Sequence, residues 1–195
     1  MAKQEKITKI NNIFSSTRAM VFSSALAALL YIVNFFSGQL LSIFFVVPGL
    51  SGIVTGFTVP LVLIIAYSIT CRFGTITLVW TLYSTAAIPT ALMGPPGLYK
   101  IIIGFSAGIT FDLIILLFKG KKISYYIGFI LYTFVMLVEF VLIFTFFKMQ
   151  VSNISLVAVL LITLVFIIEG LIAIRVGEKV SLRLKKLQIV KDLIE

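Results

Sequence analysis

Four ionisable residues lie inside long apolar stretches of this sequence, and they are the first candidates for chemistry. They are Lys100, Asp112, Glu139 and Glu169. A charged side chain at membrane depth is costly, so each is a functional candidate by default. The carboxylates are suited to binding a proton, a sodium ion or a polar ligand, and the lysine to balancing a negative charge.

The composition around these residues is that of an integral membrane protein. The chain has 195 residues, of which 61% are hydrophobic and 12% charged, and its mean hydropathy is +1.19. A bilayer-spanning helix needs ~20 mainly apolar residues, so the chain has material for about six spans and little else. The sequence predicts an all-α bundle of six transmembrane helices in a single domain.

The same composition excludes several kinds of chemistry. The chain has no histidine and one cysteine, Cys71, which argues against zinc proteases, Ser/His hydrolases and CxxC oxidoreductases. We therefore expect no catalytic residue and no metal site. The net charge of +9 is typical of cytoplasmic loops beside anionic lipid rather than of nucleic-acid binding.

Hydropathy and turn residues predict where the spans lie. The amino-terminal residues are too polar for a cleaved signal sequence, and Gly94-Pro95-Pro96-Gly97 is a strong helix breaker. An apolar re-entrant loop is predicted at 38–51, although its apolar part could instead begin a longer second span. A basic tail, partly amphipathic or simply solvated, is predicted at 177–195. The predicted spans are 19–37, 53–70, 73–93, 98–118, 123–147 and 154–176.

Basic residues predict the orientation, because Lys and Arg are retained on the cytoplasmic side. With six spans and an internal amino terminus, Lys100 and Lys148 fall outside, and the other fourteen of the 16 Lys and Arg residues fall inside. An odd number of spans would put the two basic ends on opposite sides. Both termini are therefore predicted to be cytoplasmic.

A ligand pocket is predicted in the outer halves of the spans. Lys100 begins span four, and Glu139 lies about 24 Å along span five, so the two are expected at the same side of the membrane. They could contact a polar ligand together, or form a structural ion pair, or the lysine could extend towards the lipid surface. Aromatic and polar groups at similar depth complete the predicted pocket, namely Asn34, Trp80, Tyr83 and Tyr99. For the aromatic residues among them, an interfacial aromatic belt is the alternative.

The other two carboxylates fall towards the inner half of the bundle. Asp112 continues a stripe with Gly104 and Gly108, which favours close approach of a neighbouring helix and a bond from the carboxylate to it. Glu169 lies near Arg175 in sequence and could pair with a basic group or couple to protons. Neither is expected to contact the same ligand as Glu139.

The first span carries two stripes of small residues that favour close helix contact. A membrane partner could dock there, and internal packing is the alternative. The stripes are Ala19, Ser23 and Ala27, and beside them Ser24 and Ala28.

Taken together, the six spans, the internal ends, the apolar first outer loop and the small-residue stripes resemble the substrate-binding S components of energy-coupling factor (ECF) transporters. The family's Ala-x3-Ala signature corresponds here to Ser24-x3-Ala28 and to the Ala19, Ser23, Ala27 stripe. The segments Ile65-Ala66-Tyr67 and Arg72-Phe73-Gly74, with the Gly94–Gly97 turn after them, look most like the S components for thiamine and its hydroxymethylpyrimidine precursor.

The resemblance implies a non-catalytic subunit that captures a vitamin-like micronutrient outside the plasma membrane of a prokaryote. It implies a transmembrane T component as the partner of the first helix, and two cytoplasmic ATPases that use the ATP, so the chain itself needs no cofactor. The loop at 38–51 would be the lid over the ligand.

Three other classes of function fit the composition less well: a secondary transporter, a membrane enzyme and a scaffold protein. A secondary transporter would couple Glu139 or Asp112 to protons or sodium, but its usual internal repeat of broken helices is missing from this sequence. A lipid transferase would need clustered aspartates, and an intramembrane protease lacks its catalytic groups here. A scaffold protein is the remaining alternative.

Overall fold

The protein is all-helical in the part of the chain that the structure, a computed structural model, describes: residues 17–44, 50–146 and 156–187, without the side chains of 41–44, 50–53, 144, 146 and 156–162. Six helices form there, as predicted. They are α1 (Thr17–Phe44), α2 (Leu50–Thr70), α3 (Thr75–Ala86), α4 (Tyr99–Leu117), α5 (Ile123–Phe146) and α6 (Leu156–Leu184).

Three of these helices contain stretches long and apolar enough to cross a membrane. They are Thr17–Leu40 in α1, Tyr99–Leu117 in α4 and Ile123–Ile143 in α5, and α2 has a shorter apolar stretch, Val54–Thr70. Large apolar side chains such as Phe36, Ile102 and Leu142 are more than half exposed on the outside of the bundle. Apolar helices with apolar outer faces indicate a membrane protein.

The helices pack around α3, which is central although it is short. It lies between α1 and α4 and also touches α2; α2 in turn packs broadly against α6, and α5 against α4. Fully buried side chains from α2, α3 and α4 form the core, among them Leu63, Ile76, Val79 and Phe111. The core therefore surrounds the helix that carries Trp80 and Tyr83.

The contact between α3 and α4 depends on the predicted glycine stripe. Gly104 lies against Ser84 and Trp80, and Gly108 lies against Thr77. A Cβ atom on Gly108 would be 2.6 Å from the Thr77 Cα atom, so a side chain there would collide with backbone. The prediction that this stripe packs closely against another helix is confirmed.

Helix α3 is much shorter than the predicted span 73–93. Its 12 residues reach about 18 Å, less than the ~30 Å of a bilayer hydrocarbon core. The helix ends at Ala86 because Pro89 has no amide to continue the helical pattern, and the Gly97 amide donates to the Ile88 carbonyl at 3.1 Å. Residues 87–98 thus form a closed turn instead of the last turns of a span.

The predicted loop at 38–51 is also shorter in the structure. Helix α1 continues through Gly38 to Phe44, and α2 begins at Leu50, because the apolar residues at 40–44 satisfy their backbone groups by staying helical in an apolar setting. Residues 45–49 lie outside the described residues. Helix α6 likewise runs to Leu184, into the predicted tail, whereas the predicted cytoplasmic ends, 1–16 and 188–195, lie outside the described residues.

Candidate functional site

Three aromatic side chains from α3 and α5 form a buried cluster at the centre of the bundle. The Trp80 and Tyr83 rings are stacked, with centroids 5.1 Å apart and planes 4° apart. The Tyr132 ring meets Trp80 edge-on at 6.0 Å. The three side chains are 0–1% exposed, so we define Trp80, Tyr83 and Tyr132 as the aromatic cluster.

Each ring of the aromatic cluster carries a polar atom with no hydrogen-bond partner in the part of the chain that the structure describes. Trp80 Nε1, the Tyr83 hydroxyl and the Tyr132 hydroxyl are buried, and none has a hydrogen-bond partner among the described residues. The Tyr83 hydroxyl approaches the Thr55 side chain of α2 without reaching hydrogen-bond geometry. Thr55 itself makes an interaction within the protein.

Unsatisfied buried polar atoms are rare, because each costs ~1–3 kcal/mol in lost hydrogen bonding. Three within a single cluster indicate a place where polar atoms of a ligand or of water belong. The indole N–H can only donate, whereas a tyrosine hydroxyl can donate or accept. Combined with ring faces for stacking, the cluster is suited to a flat aromatic ligand with hydrogen-bonding groups on its edge.

The sequence predicts two of these three residues, Trp80 and Tyr83, and misses Tyr132. Tyr132 lies in the middle of α5, whereas the predicted pocket lies in the outer halves of the spans. What could have indicated it is a tyrosine hydroxyl within an otherwise apolar span. Phe111 stacks on Tyr132 at 5.8 Å, and Phe129 contacts it at 5.2 Å, which fixes the ring beside α3.

Asn34 is buried, and its side-chain hydrogen bonds join structural elements of the protein. It is 1% exposed. Its Nδ2 atom donates to the Leu30 carbonyl at 3.0 Å, and its Oδ1 atom accepts from the Thr58 hydroxyl at 2.8 Å. The amide therefore joins α1 to α2 near the middle of the bundle.

The structure does not bring Lys100 and Glu139 together. Lys100 is 0% exposed, and its Nζ atom donates to the carbonyls of Ala87 at 2.9 Å and Thr90 at 2.7 Å. Both hydrogen bonds of the ammonium among the described residues are thus to backbone carbonyls just beyond α3, and none is to Glu139. A role of Lys100 in ligand binding stays a prediction, and its structural role is to donate to carbonyls at the carboxyl end of α3.

Glu139 lies half-buried on α5, with Ser106 of α4 as its polar neighbour. Its Oε2 atom is buried and has no hydrogen-bond partner within the described ranges. Glu169 of α6 lies against α2, where a Cβ on Gly56 would be 2.6 Å from its Oε2 atom. The two carboxylates thus have different protein neighbours.

Tyr99 contributes to the turn before α4. Its hydroxyl donates to the Pro95 carbonyl at 2.5 Å, and the ring is 9% exposed. The bond ties Tyr99 to the turn at 94–97, and its roles in ligand binding or in an interfacial belt stay predictions.

The carboxylate of Asp112 caps the amino-terminal end of α3 from the neighbouring helix. Its Oδ2 atom accepts from the Thr77 amide at 2.8 Å and from the Thr77 hydroxyl at 2.7 Å. Gly74, which precedes α3, offers no side-chain cap of its own. Asp112 is 1% exposed, and the predicted bond from this carboxylate to a neighbouring helix is confirmed.

The two small-residue stripes of α1 point in different directions. The first stripe is buried in the protein, with Ala19, Ser23 and Ala27 each at most 6% exposed. The second stripe, Ser24 and Ala28, is exposed and borders a hollow of about 350 Å³. The first stripe also borders surface hollows, because Ala19 and Ser23 line a groove beside α3 and α4 and Ala27 lines the same hollow as Ser24 and Ala28. The second stripe is the more exposed of the two.

The described residues contain no cluster of three His, Cys, Asp or Glu side chains that could hold a metal ion. No family model, curated protein or solved structure matches this chain.

Proposed function

We propose that this chain is the substrate-binding S component of an ECF-type importer and that its ligand is a vitamin-like heteroaromatic compound. The observation that carries the proposal is the aromatic cluster, with its three unsatisfied polar atoms on Trp80, Tyr83 and Tyr132. Such an arrangement stabilises little in the ligand-free protein, so its polar atoms fit a role in binding. No group in the chain is assigned to catalysis.

The expected topology is six spans with both ends in the cytoplasm, in a prokaryotic plasma membrane. In its favour, the turns at 71–74 and 118–122 and the end of α6 lie at one end of the antiparallel bundle and are rich in basic residues. At the opposite end, the basic residue within the described ranges is Lys100, which is buried. Positive residues favour the cytoplasmic side.

The expected partners are a transmembrane T component and two cytoplasmic ATPases. The ATPases, and not this chain, would use the ATP. The outer face of α1 supports a membrane partner, because Ser24 and Ala28 are exposed beside large apolar residues such as Leu29 and Ile32. Small residues allow another helix to approach closely.

The ligand class follows from the donors and acceptors of the aromatic cluster. A planar ring can stack on Trp80 or Tyr83, while nitrogen or oxygen atoms at its edge meet the indole N–H and the tyrosine hydroxyls. The thiamine pyrimidine and similar heteroaromatic rings have these features. Such a ligand would separate the stacked rings or enter beside them.

Trp80 makes a direct test possible, because it is the single tryptophan of the chain. The purified protein in detergent is first analysed by mass spectrometry for retained small molecules. Thiamine, its hydroxymethylpyrimidine precursor and other vitamins are then titrated while Trp80 emission is followed. We expect saturable quenching by one of them.

Two hydroxyl deletions distinguish this site from unspecific binding. Tyr132→Phe and Tyr83→Phe keep the rings and remove one hydrogen bond each, which is worth about a fivefold loss of affinity. The matched control is Tyr126→Phe on the same helix as Tyr132, because Tyr126 is only partly buried at the edge of the core. Unchanged Trp80 emission with every vitamin, or equal effects of all three variants, would argue against the proposal.

A coupled secondary transporter is the second candidate, and the buried, unpartnered Oε2 atom of Glu139 is the observation that favours it. The Oδ1 atom of Asp112 is also buried without a hydrogen-bond partner among the described residues. Glu139 is the preferred centre because Thr77 engages the Oδ2 atom of Asp112 and because Glu139 is the more exposed of the two carboxylates. The test is uptake by the chain alone in proteoliposomes under a proton or sodium gradient. Uptake that Glu139→Gln abolishes would support this function over ATP-driven capture.

A further inference from the structure

A groove opens on the outside of the bundle between α1 and α4, with α3 as its floor. Its volume is about 340 Å³. It lies beside the amino-terminal part of α3, where α1 and α4 each pack against α3 from either side. It is separate from the aromatic cluster, since neither Trp80 nor Tyr83 lines it.

The lining of the groove is apolar along its length and basic at one end. Met20 of α1, Leu78 of α3 and Phe105 of α4 contribute apolar side chains, and Arg72 lies at the end, in the turn before α3. An amphiphile with an acidic head and an apolar chain has the matching pattern. A purely polar solute would leave most of this surface unsatisfied.

A second polar feature lies inside the groove. The Thr81 hydroxyl lines it, and its Oγ1 atom is buried with no hydrogen-bond partner among the residues the structure describes. Thr81 is six residues beyond Thr75, so it lies about 9 Å along α3 from the basic end. A hydroxyl at that depth can donate to a carbonyl oxygen that enters the groove below a headgroup.

From these features we infer that the groove binds an anionic phospholipid. One acyl chain lies in the groove, the Thr81 hydroxyl donates to an ester carbonyl, and the phosphate contacts Arg72. Arg72 also interacts within the protein, but a guanidinium has five N–H donors, so the phosphate is an additional acceptor. The inference is independent of the vitamin-binding function.

Charge complementarity favours an anionic lipid over a neutral one. The end of the bundle that contains Arg72 also carries Arg18, Lys119, Lys121 and Lys122. Basic residues near a membrane surface attract anionic headgroups with ~1 kcal/mol each. The groove adds to this general attraction a defined place for one chain and one phosphate.

The test is native mass spectrometry of the full chain in detergent, titrated with phosphatidylglycerol or with phosphatidylcholine of the same acyl chains. We expect phosphatidylglycerol to bind several-fold tighter. Arg72→Gln should reduce its affinity about fivefold, and Thr81→Val, which keeps the shape of the side chain, should reduce the affinity for both lipids about fivefold by removing one hydrogen bond. The control Lys122→Gln removes an equal charge from the same end but outside the groove, and it should change affinity less than twofold.

Three results would overturn the inference. Equal losses for Arg72→Gln and Lys122→Gln would mean that only the general positive charge attracts lipid. Equal binding of the two lipids by the unchanged protein would exclude a site for an anionic headgroup. Unaltered binding by Thr81→Val, together with displacement of lipid by a co-purifying membrane protein, would assign the groove to a protein partner instead.

Discussion

Asp112 of α4 holds the first turn of α3 through Thr77, whose amide and hydroxyl both donate to the same carboxylate oxygen, at 2.8 and 2.7 Å. Lys100 holds the other end of α3 through the carbonyls of Ala87 and Thr90. The two residues are twelve positions apart on α4, about 18 Å, which equals the length of α3. Negative charge meets the amide end of the helix and positive charge meets the carbonyl end, as the helix dipole favours.

The first prediction concerns Asp112. Asp112→Asn keeps the size of the side chain but removes the charge, and its amide group can still accept one bond from Thr77. We expect a loss of ~1–3 kcal/mol in unfolding free energy, measured by denaturant titration in detergent, and a larger loss for Asp112→Ala. A variant of unchanged stability that has lost sodium or proton dependence of transport would instead make Asp112 a coupling residue.

The second prediction concerns Lys100. Lys100→Met preserves the apolar stem but removes the ammonium donor of the Thr90 carbonyl and one of the donors of the Ala87 carbonyl, so the turn at 87–98 should loosen. The Ala87 carbonyl keeps the Thr90 amide and hydroxyl as donors. Hydrogen exchange of amides in that turn should accelerate at least tenfold, since an unsatisfied carbonyl costs ~1–3 kcal/mol. Ligand affinity at the aromatic cluster should change much less than stability. A selective loss of affinity with unchanged exchange would return Lys100 to the binding site.

The third prediction concerns Gly108. Gly108→Ala puts a Cβ atom 2.6 Å from the Thr77 backbone, and the two helices must separate to make room. We expect a loss of ~1–3 kcal/mol in the free energy of unfolding. Gly177→Ala is the matched control, because its Cβ would approach the Leu61 carbonyl only to 3.1 Å, so its loss should be smaller. Equal stability of the two variants would contradict the close α3–α4 contact.

The fourth prediction separates a binding role of Tyr132 from a structural one. Its hydroxyl is buried without a hydrogen-bond partner within the described ranges, so Tyr132→Phe should stabilise the ligand-free protein by about 1 kcal/mol while it weakens ligand binding. Thermal unfolding with and without the ligand found by Trp80 fluorescence measures both effects. Tyr126→Phe should change neither. If Tyr132→Phe lowers the stability of the ligand-free protein, the hydroxyl has a structural partner and is not reserved for a ligand.

The fifth prediction concerns the two stripes of α1. Ala28→Leu adds bulk on an exposed face and should leave the melting temperature unchanged while reducing co-purification of the T component and its ATPases from native membranes. Ala27→Leu, one residue earlier, is the contrasting variant because Ala27 is 2% exposed, and overpacking there should cost ~1–3 kcal/mol of stability. Undiminished co-purification of Ala28→Leu would exclude this face as the partner contact.

Much of the helical framework follows directly from the sequence. Long apolar stretches can satisfy their backbone groups only by forming helices in an apolar environment, so six helices could be predicted. The spacing of Gly104, Gly108 and Asp112 places all three on one face, which predicted both the close contact and the bond to a neighbouring helix. The turn at 94–97 was predictable because two prolines between two glycines cannot continue a helix.

The helix ends were harder to predict. Hydropathy alone extended the third span to 93, because the residues after Ala86 are mostly apolar. The structure ends the helix earlier, where Pro89 removes a donor and Lys100 satisfies the open carbonyls. That ending depends on a residue from the next helix, so no local pattern could reveal it.

The amino-acid sequence by itself determined the six helices and the close-packed face of Gly104, Gly108 and Asp112, because these depend on spacing along a single chain. Only the tertiary structure decided which side chains meet. Helix rotation and tilt turned Lys100 towards α3 and away from Glu139, and brought Tyr132 from α5 to Trp80 on α3. These rotations are set by packing between helices, such as the contact at Gly108, and not by the sequence pattern of any one helix.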